Sequence, residues 1–317
     1  MTNHQVVLGI DIGGTNTVYG LVCKDGKVYG NKKIDTNGSL PASDLVNRIV
    51  LDIEKFFTIN QKMDLIGIGI GAPNANYLTG IIENPPNLKW GDVNIVELFK
   101  ERYNIDTLLT NDANAAALGE KHFGIAKNMD DFVLVTLGTG LGSGIFSGGK
   151  LIYGHNGLAG EMGHMIIERN GRICNCGNRG CLESYVSANG LIQTVKMYLD
   201  ENPNDKFLQS INSCKIDGNM LDREFDERNK MVRKIYEYTG EKLGIGLAQV
   251  VTLLNPEAFI FYGGLSNAGD RILQYAKKSM NKNLINNHLD SAELLLSELP
   301  EGQAGIQGAA SLVWSNK

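Results

Sequence analysis

The segment "VVLGIDIGGTNTVYGLVCKDGKVYGNKKID" (6–35) runs into a glycine turn and comes back as a strand, and the same plan recurs in "FVLVTLGTGLGSGIFSGGKLIYG" (132–154). In each copy an apolar run, a glycine-rich turn, a second run and a tight turn make a meander. Helical and strand patterns alternate after each one. Leu45, Ile49, Ile53 and Phe56 predict a helix over 42–57, "LIGIGIGA" (65–72) a strand, and further segments a helix near 93–103, a strand at 105–110 and an Ala-rich helix at 113–121. In the second half, "AFIFYGGLSNAGDRILQYAKKSM" reads as a strand and glycine turn opening a helix. Self-similarity at half-chain scale excludes a solenoid. It predicts two similar α/β lobes across a cleft. The lobes expected are 1–112 plus 304–317, whose final helix returns to the first lobe, and 113–303 with a metal loop at 164–183. The polar stretch 200–230 reads as a helical insertion without chemistry.

Composition narrows the class. The 317 residues are 43% hydrophobic and 21% charged, with a net charge of -5, which is ordinary for a soluble globular protein. The absence of a Lys/Arg block argues against a nucleic-acid surface. No apolar run nears the roughly 18 residues needed to span a bilayer, and "MTNHQVVLGID" lacks the features of a secretory signal. A cytoplasmic location is expected, where clustered cysteines more often bind metal than pair with each other.

The glycine turns invite phosphate. "DIGGTN" (11–16) lies between two strands, whereas a dinucleotide fingerprint or P-loop would lead into a helix. Gly13 and Gly14 allow a close turn whose N–H groups point at a phosphate. Thr15 and Asn16 add side-chain donors, and Asp11 is placed for Mg²⁺, directly or through water. "LGTGLGSG" (137–144) repeats the device with Thr139, Gly140 and Gly142. Gly263 and Gly264 form a third turn suited to a ribose and base. Each turn taken singly is also consistent with an ordinary hairpin.

In "TNDANAAALGE", Asn111 and Asp112 end a strand and open a helix. Both types favour the N-cap, and Ala115 stands where a capping box would need Glu or Gln. Phosphoryl transfer to an alcohol needs a carboxylate that accepts the hydroxyl proton. Cap and base both fit Asp112; Asn111 can cap while Asp112 reacts.

Cys174, Cys176 and Cys181 have C-x-C-x4-C spacing, with His164 ten residues before the first. Three thiolates and an imidazole make a closed tetrahedral zinc site, structural rather than hydrolytic. Such a metal contributes on the order of 10 kcal/mol of apparent binding energy and can fix a loop that has little core. Glu161 and Glu183 flank the cluster, so pinning it presents both carboxylates at one rim, an arrangement suited to vicinal hydroxyls.

The motifs "DIGGTN", "GAP…NPPNLKW", "NDANAAALGE", "LGTGLGSGI", "GLAGEMGH" and "CNCGNRGCLE" together resemble those of the ROK family (repressor, open reading frame, kinase) along the whole chain. The resemblance implies a two-lobed actin-like/hexokinase fold. It also implies Asp112 as catalytic base and a hexose held by Asn111, Glu161, His164 and Glu183, with Gly71 and Asn84 on segments completing the pocket. ATP, Mg²⁺ and structural Zn²⁺ are the cofactors implied, and a homodimer is a family-level expectation. Asn74 stands where family members commonly have glycine. Repressors of the family carry a DNA-binding segment before the first strand; with five residues ahead of Val6, a repressor is not expected. The expectation is phosphorylation of glucose at the 6-hydroxyl, with an N-acetylhexosamine kinase, a fructokinase and a non-catalytic sugar sensor as the alternatives.

Overall fold

The computed structural model describes residues 4–59, 62–85, 88–211, 218–300 and 302–315. Residues 86–87 of the "NPPNLKW" motif, 212–217 of the polar insertion and 316–317 of the last predicted helix lie outside these. The chain divides into two compact units: residues 1–129, 144–159 and 298–317 form the first, 130–143 and 160–297 the second.

In the first unit, β1 (His4–Ile12), β2 (Asn16–Val22) and β3 (Val28–Asp35) form the antiparallel meander. Next come α1 (Ala42–Ile59), β4 (Met63–Ala72), the short β5 (Ala75–Asn76) and β6 (Ile81–Ile82), α2 (Ile95–Lys100), β7 (Thr107–Asn111) and α3 (Asp112–Phe123). The sheet order is β3-β2-β1-β4-β7, with β4 and β7 parallel to β1.

The alternation in "LIGIGIGA" explains how this sheet is covered. Successive strand residues face opposite sides. Ile68 and Ile70 are buried in one core with Leu8, Ile10, Leu45 and Ile49, under α1. Gly67 and Gly69 face the last helix, α10 (Ala304–Trp314). A Cβ on Gly69 would overlap the Ala309 carbonyl, one on Gly9 of β1 the Ile306 carbonyl, and one on Gly67 would meet Val313 at 2.6 Å. The glycines thus form a trough that lets helix backbone rest on strand backbone. Val7, Val22, Ile306, Ala310 and Val313 close the second core.

The second unit carries β8 (Phe132–Leu137), and the chain leaves it along β9 (Leu141–Ser147), which ends in a hairpin with β10 (Lys150–Leu151). After the metal loop come α4 (Glu183–Val186), α5 (Ala188–Glu201), α6 (Lys206–Ser210), α7 (Gly218–Asp226) and α8 (Lys230–Leu254). The parallel strands β11 (Ala258–Tyr262) and β12 (Glu293–Leu296) flank α9 (Asp270–Lys282). The sheet order is β10-β9-β8-β11-β12. A 3-10 turn, Gly264–Ala268, intervenes between β11 and α9, so the glycine turn there does not open the helix directly. Gly240 and Gly244 let α8 and α9 cross closely, because a Cβ on either would collide with α9 backbone.

The units part at different points from the expected 112/113 and 303/304. Residues 113–129, all of α3 after Asp112 included, belong to the first unit. A Cβ on Gly308 of α10 would overlap the Ala115 carbonyl of α3, and that backbone contact makes α3 part of the first core.

Gly69→Ala should cost about 1–3 kcal/mol, the usual penalty for overpacking a filled site, as read by chemical denaturation. Gly218→Ala, where a Cβ meets nothing within 4 Å among the described residues, should leave stability unchanged or higher.

Candidate active site and metal centre

Three parallel strands of the first unit end side by side. Asp11 of β1 is paired with Gly71 of β4, and Gly71 with Thr110 of β7, so Asn111 and Asp112 emerge at the same sheet edge. Carboxyl ends of parallel strands are where open α/β sheets place ligands. Gly71 is buried there, and a Cβ on it would come within 3.0 Å of Ala115.

Asn111 is the N-cap of α3: its side-chain oxygen accepts the Ala113 N–H at 2.9 Å. Asp112 Oδ1 also accepts this N–H, at 2.8 Å. With Asn111 as the cap, the helix does not depend on Asp112. The Asp112 side chain is open to solvent, yet the surrounding protein raises its pKa above the ordinary carboxylate value by desolvation, partly offset by the Ala113 N–H.

Asp11 is pushed up to about 7, by burial first and then by the charge of Asp112. Its carboxyl lies against Gly305 at the start of α10. The folded protein therefore favours protonated Asp11; this contribution to stability is fully present below about 3.8 and is lost as pH rises through about 7. Two mutually repelling carboxyls at one strand edge fit a divalent cation with oxygen ligands, Mg²⁺ above all.

The glycine turns are more self-satisfied than their sequence suggests. Gly13 N–H donates to the Asn16 carbonyl, Gly138 N–H to the Gly140 carbonyl, and Gly142 N–H to Thr136 Oγ1. The Gly13 and Gly142 N–H groups are thus engaged within their own turns. The N–H groups of Gly14, Thr139 and Gly140 have no such partner among the described residues. Thr15 and Asn16 hold the turn through their carbonyls, which accept the Thr36 and Gly13 N–H respectively.

In the second unit a cavity of about 430 Å³ is lined by Gly138 and Thr139 on one side and Gly264, Leu265, Asn267 and Ala268 on another, with Leu191 and Tyr236. Two of the turns singled out in the sequence thus meet here. Gly263, just before Gly264, has φ 105, and a Cβ added there would come within 2.7 Å of the Leu137 carbonyl oxygen. Asn219 and Asp222 of α7 also line the cavity, and Asp222 accepts from the Tyr236 hydroxyl at 2.8 Å. The stretch 200–230 thus contributes two polar residues to the cavity wall. The i, i+4 pair Leu221 and Phe225 marks a helix there, but its polar side carries no sequence signature.

His164, Cys174, Cys176 and Cys181 place their ligand atoms within 4.8 Å of one another. Cys176 and Cys181 Sγ are 3.6 Å apart, and Cys174 Sγ is 3.7 Å from His164 Nδ1. Cys176 is drawn down to about 7, chiefly by the Asn178 backbone N–H, while burial pushes Cys181 up to about 12. A soft divalent cation resolves this competition by taking all three sulfurs as thiolates, and three sulfurs with one imidazole fit zinc. His164 Nε2 lies 3.8 Å from Glu161 Oε2, so the imidazole presents one nitrogen to the cluster and the other toward that glutamate. Leu182 seats the loop, fully buried against Gly246 of α8. Arg172 clamps it by donating to the Ser184 and Gly190 carbonyls and Thr194 Oγ1, each at 3.0 Å.

Glu183 is not a free rim acid: its Oε2 accepts the Leu141 N–H at 2.9 Å. Asn84 adopts φ 39, and its N–H donates to Asp92. Asn74, at φ 54, occupies the left-handed region that glycine favours and asparagine tolerates. Among the described residues no helix is long and apolar enough to cross a membrane.

Two outcomes follow for these centres. Cys176→Ser should cut bound zinc below one equivalent and lower the melting temperature, both checked on one preparation by metal analysis and calorimetry. Mg²⁺ should raise the melting temperature more at pH 8 than at pH 6, because Asp11 ionises through about 7, and Asp11→Asn should remove that difference.

The ROK family model matches residues 7–316. A glucokinase of Thermotoga maritima is 31% identical over 310 residues, covering 97% of this chain and 96% of that protein. A xylose repressor of Caldicellulosiruptor bescii is 29% identical, covering 98% of this chain and 78% of the repressor. The crystal structure of a ROK family glucokinase from Streptomyces griseus, in complex with glucose and AMPPNP, superposes with a TM-score of 0.79 at 31% identity, covering 97% of this chain and 98% of that one. With glycine turns, paired carboxyls and a Cys/His cluster set in this α/β scaffold, the chain belongs to the ROK family.

Proposed function

We propose that the protein is an ATP-dependent hexose kinase that phosphorylates glucose at its 6-hydroxyl, with Asp112 as the general base. The observation that carries the reading is Asp112 itself: solvent-open, with its helix capped by Asn111, and held above the ordinary carboxylate range. A carboxylate with a raised pKa is a stronger proton acceptor. The 6-hydroxyl gives its proton to Asp112 as its oxygen attacks the γ-phosphorus and the bond to the β-phosphate oxygen breaks, releasing ADP. Phosphates are received by the free N–H groups of the glycine turns, and the adenosine by the cavity between Thr139 and Gly264. Mg²⁺, when bound at Asp11, neutralises charge developing on the transferred group.

The sugar hydroxyls fall to Asn111, Glu161, His164 and Glu183, with Gly71 and Asn84 on the bounding segments. The tetrad keeps Glu161 and His164 in fixed relation, so zinc in this reading is structural. Similarity to glucokinases over nearly the full chain supports glucose over an N-acetylhexosamine.

Coupled ADP release across glucose, mannose, fructose, N-acetylglucosamine and N-acetylmannosamine tests the substrate; highest kcat/KM for an N-acetylhexosamine would overturn the choice of glucose. Asp112→Asn should lower kcat by about 10²–10⁴-fold while hexose still binds. Protonated Asp112 accepts no proton, so wild-type kcat/KM should fall as pH drops through a value above the ordinary Asp pKa of about 3.9. This limb should vanish in Asp112→Asn.

A further inference from the structure

We propose that Glu183 is a positioning residue for the turn that receives the nucleotide, and that through it the metal loop sets nucleotide affinity. The inference rests on the reading of the 430 Å³ cavity as the nucleotide site. Glu183 opens α4 two residues after Cys181, behind the buried Leu182. Its Oε2 accepts the Leu141 N–H at 2.9 Å, and its Oε1 lies 3.9 Å from the Cys174 sulfur. One carboxylate therefore touches both a zinc-type ligand and the backbone of the 137–144 turn.

The fit is tight. A Cβ on Gly140 would overlap Glu183 Oε2, so glycine at 140 is what admits the carboxylate against the turn. The same short segment makes a second hold, since Ala188 N–H donates to the Gly138 carbonyl at 2.9 Å. The Ser187 hydroxyl ties back to the Glu183 carbonyl at 2.8 Å, which fixes the two holds relative to each other. Inside the turn, Gly138 N–H meets the Gly140 carbonyl at 3.0 Å. Together these bonds fix the direction of the Thr139 and Gly140 N–H groups, the pair left to meet phosphate. Preorganised donors bind a ligand without the cost of ordering them. Without the carboxylate, Leu141 N–H loses its partner and the turn loses a charge-assisted anchor.

The test is calorimetric titration of the full-length protein with ADP and Mg²⁺, in the absence of any hexose. Glu183→Ala should bind ADP about tenfold more weakly, as expected for a lost hydrogen bond to a charged group, with zinc content unchanged. Glu183→Gln, whose amide oxygen still accepts from Leu141, should restore affinity to within about threefold of wild type. ADP affinity in Glu183→Ala equal to wild type overturns the inference, as does Glu183→Gln binding no better than Glu183→Ala. Wild-type protein that binds no ADP overturns the nucleotide reading itself, and the inference with it. Should Glu183→Ala fail to fold, hydrogen exchange of the Leu141 amide in wild type decides. Protection that is lost when zinc is chelated supports the coupling, and protection indifferent to chelation refutes it.

Discussion

Backbone-to-backbone seating of α10 on β1 and β4 is the contact on which the first unit depends. It is possible only because Gly9 and Gly69 present no Cβ toward the Ile306 and Ala309 carbonyls. Close approach of a helix to a sheet maximises dispersion contact and excludes water from both. The same helix touches α3 through Gly308 and receives the Asp11 carboxyl against Gly305. Both acids of the site are thereby located by one helix that carries no reactive side chain of its own. Asp11 at the end of β1 and Asp112 at the start of α3 keep their electrostatic relation because α10 fixes the elements that bear them.

In the second unit a loop with little apolar content is held by different means. Leu182 enters the groove left by Gly246, Arg172 spreads its guanidinium over three acceptors, and four soft ligand atoms converge on one point. The guanidinium also lies 4.7 Å from the Tyr185 ring centroid, a cation–π contact that adds to the hold. Zinc at the tetrad would convert a set of competing thiols into a single rigid node. Glutamates attached to such a node are fixed at lower entropic cost than glutamates on a free loop.

Much of this was legible in one dimension. Alternation of isoleucine and glycine over 65–72 announces a strand with one bulky and one bare face, since strand periodicity is two. Three cysteines and a histidine at fixed offsets announce a metal node, because few other arrangements use that chemistry in a chain so poor in cysteine. The cap-or-base ambiguity at 111–112 was also visible, and the structure gives the cap to Asn111. Less was legible in the turns. Whether a glycine N–H is free depends on which carbonyl lies opposite, and Gly13 and Gly142 turned out to be engaged within the protein. Asp222 and Asn219 escaped notice because a polar helix face looks the same whether it borders solvent or a cavity.

The sequence by itself determined the elements, the doubled meander and the ligand types, since these follow from local periodicity, backbone permissiveness and the intrinsic chemistry of Cys, His and Asp. Tertiary structure alone decided the membership of α3 in the first unit, the elevated protonation of Asp11 and the attachment of Glu183 to Leu141. Each of these depends on atoms far apart in the chain being brought within contact distance. Desolvation, charge repulsion and hydrogen bonding are set by such separations in space, which residue order does not specify.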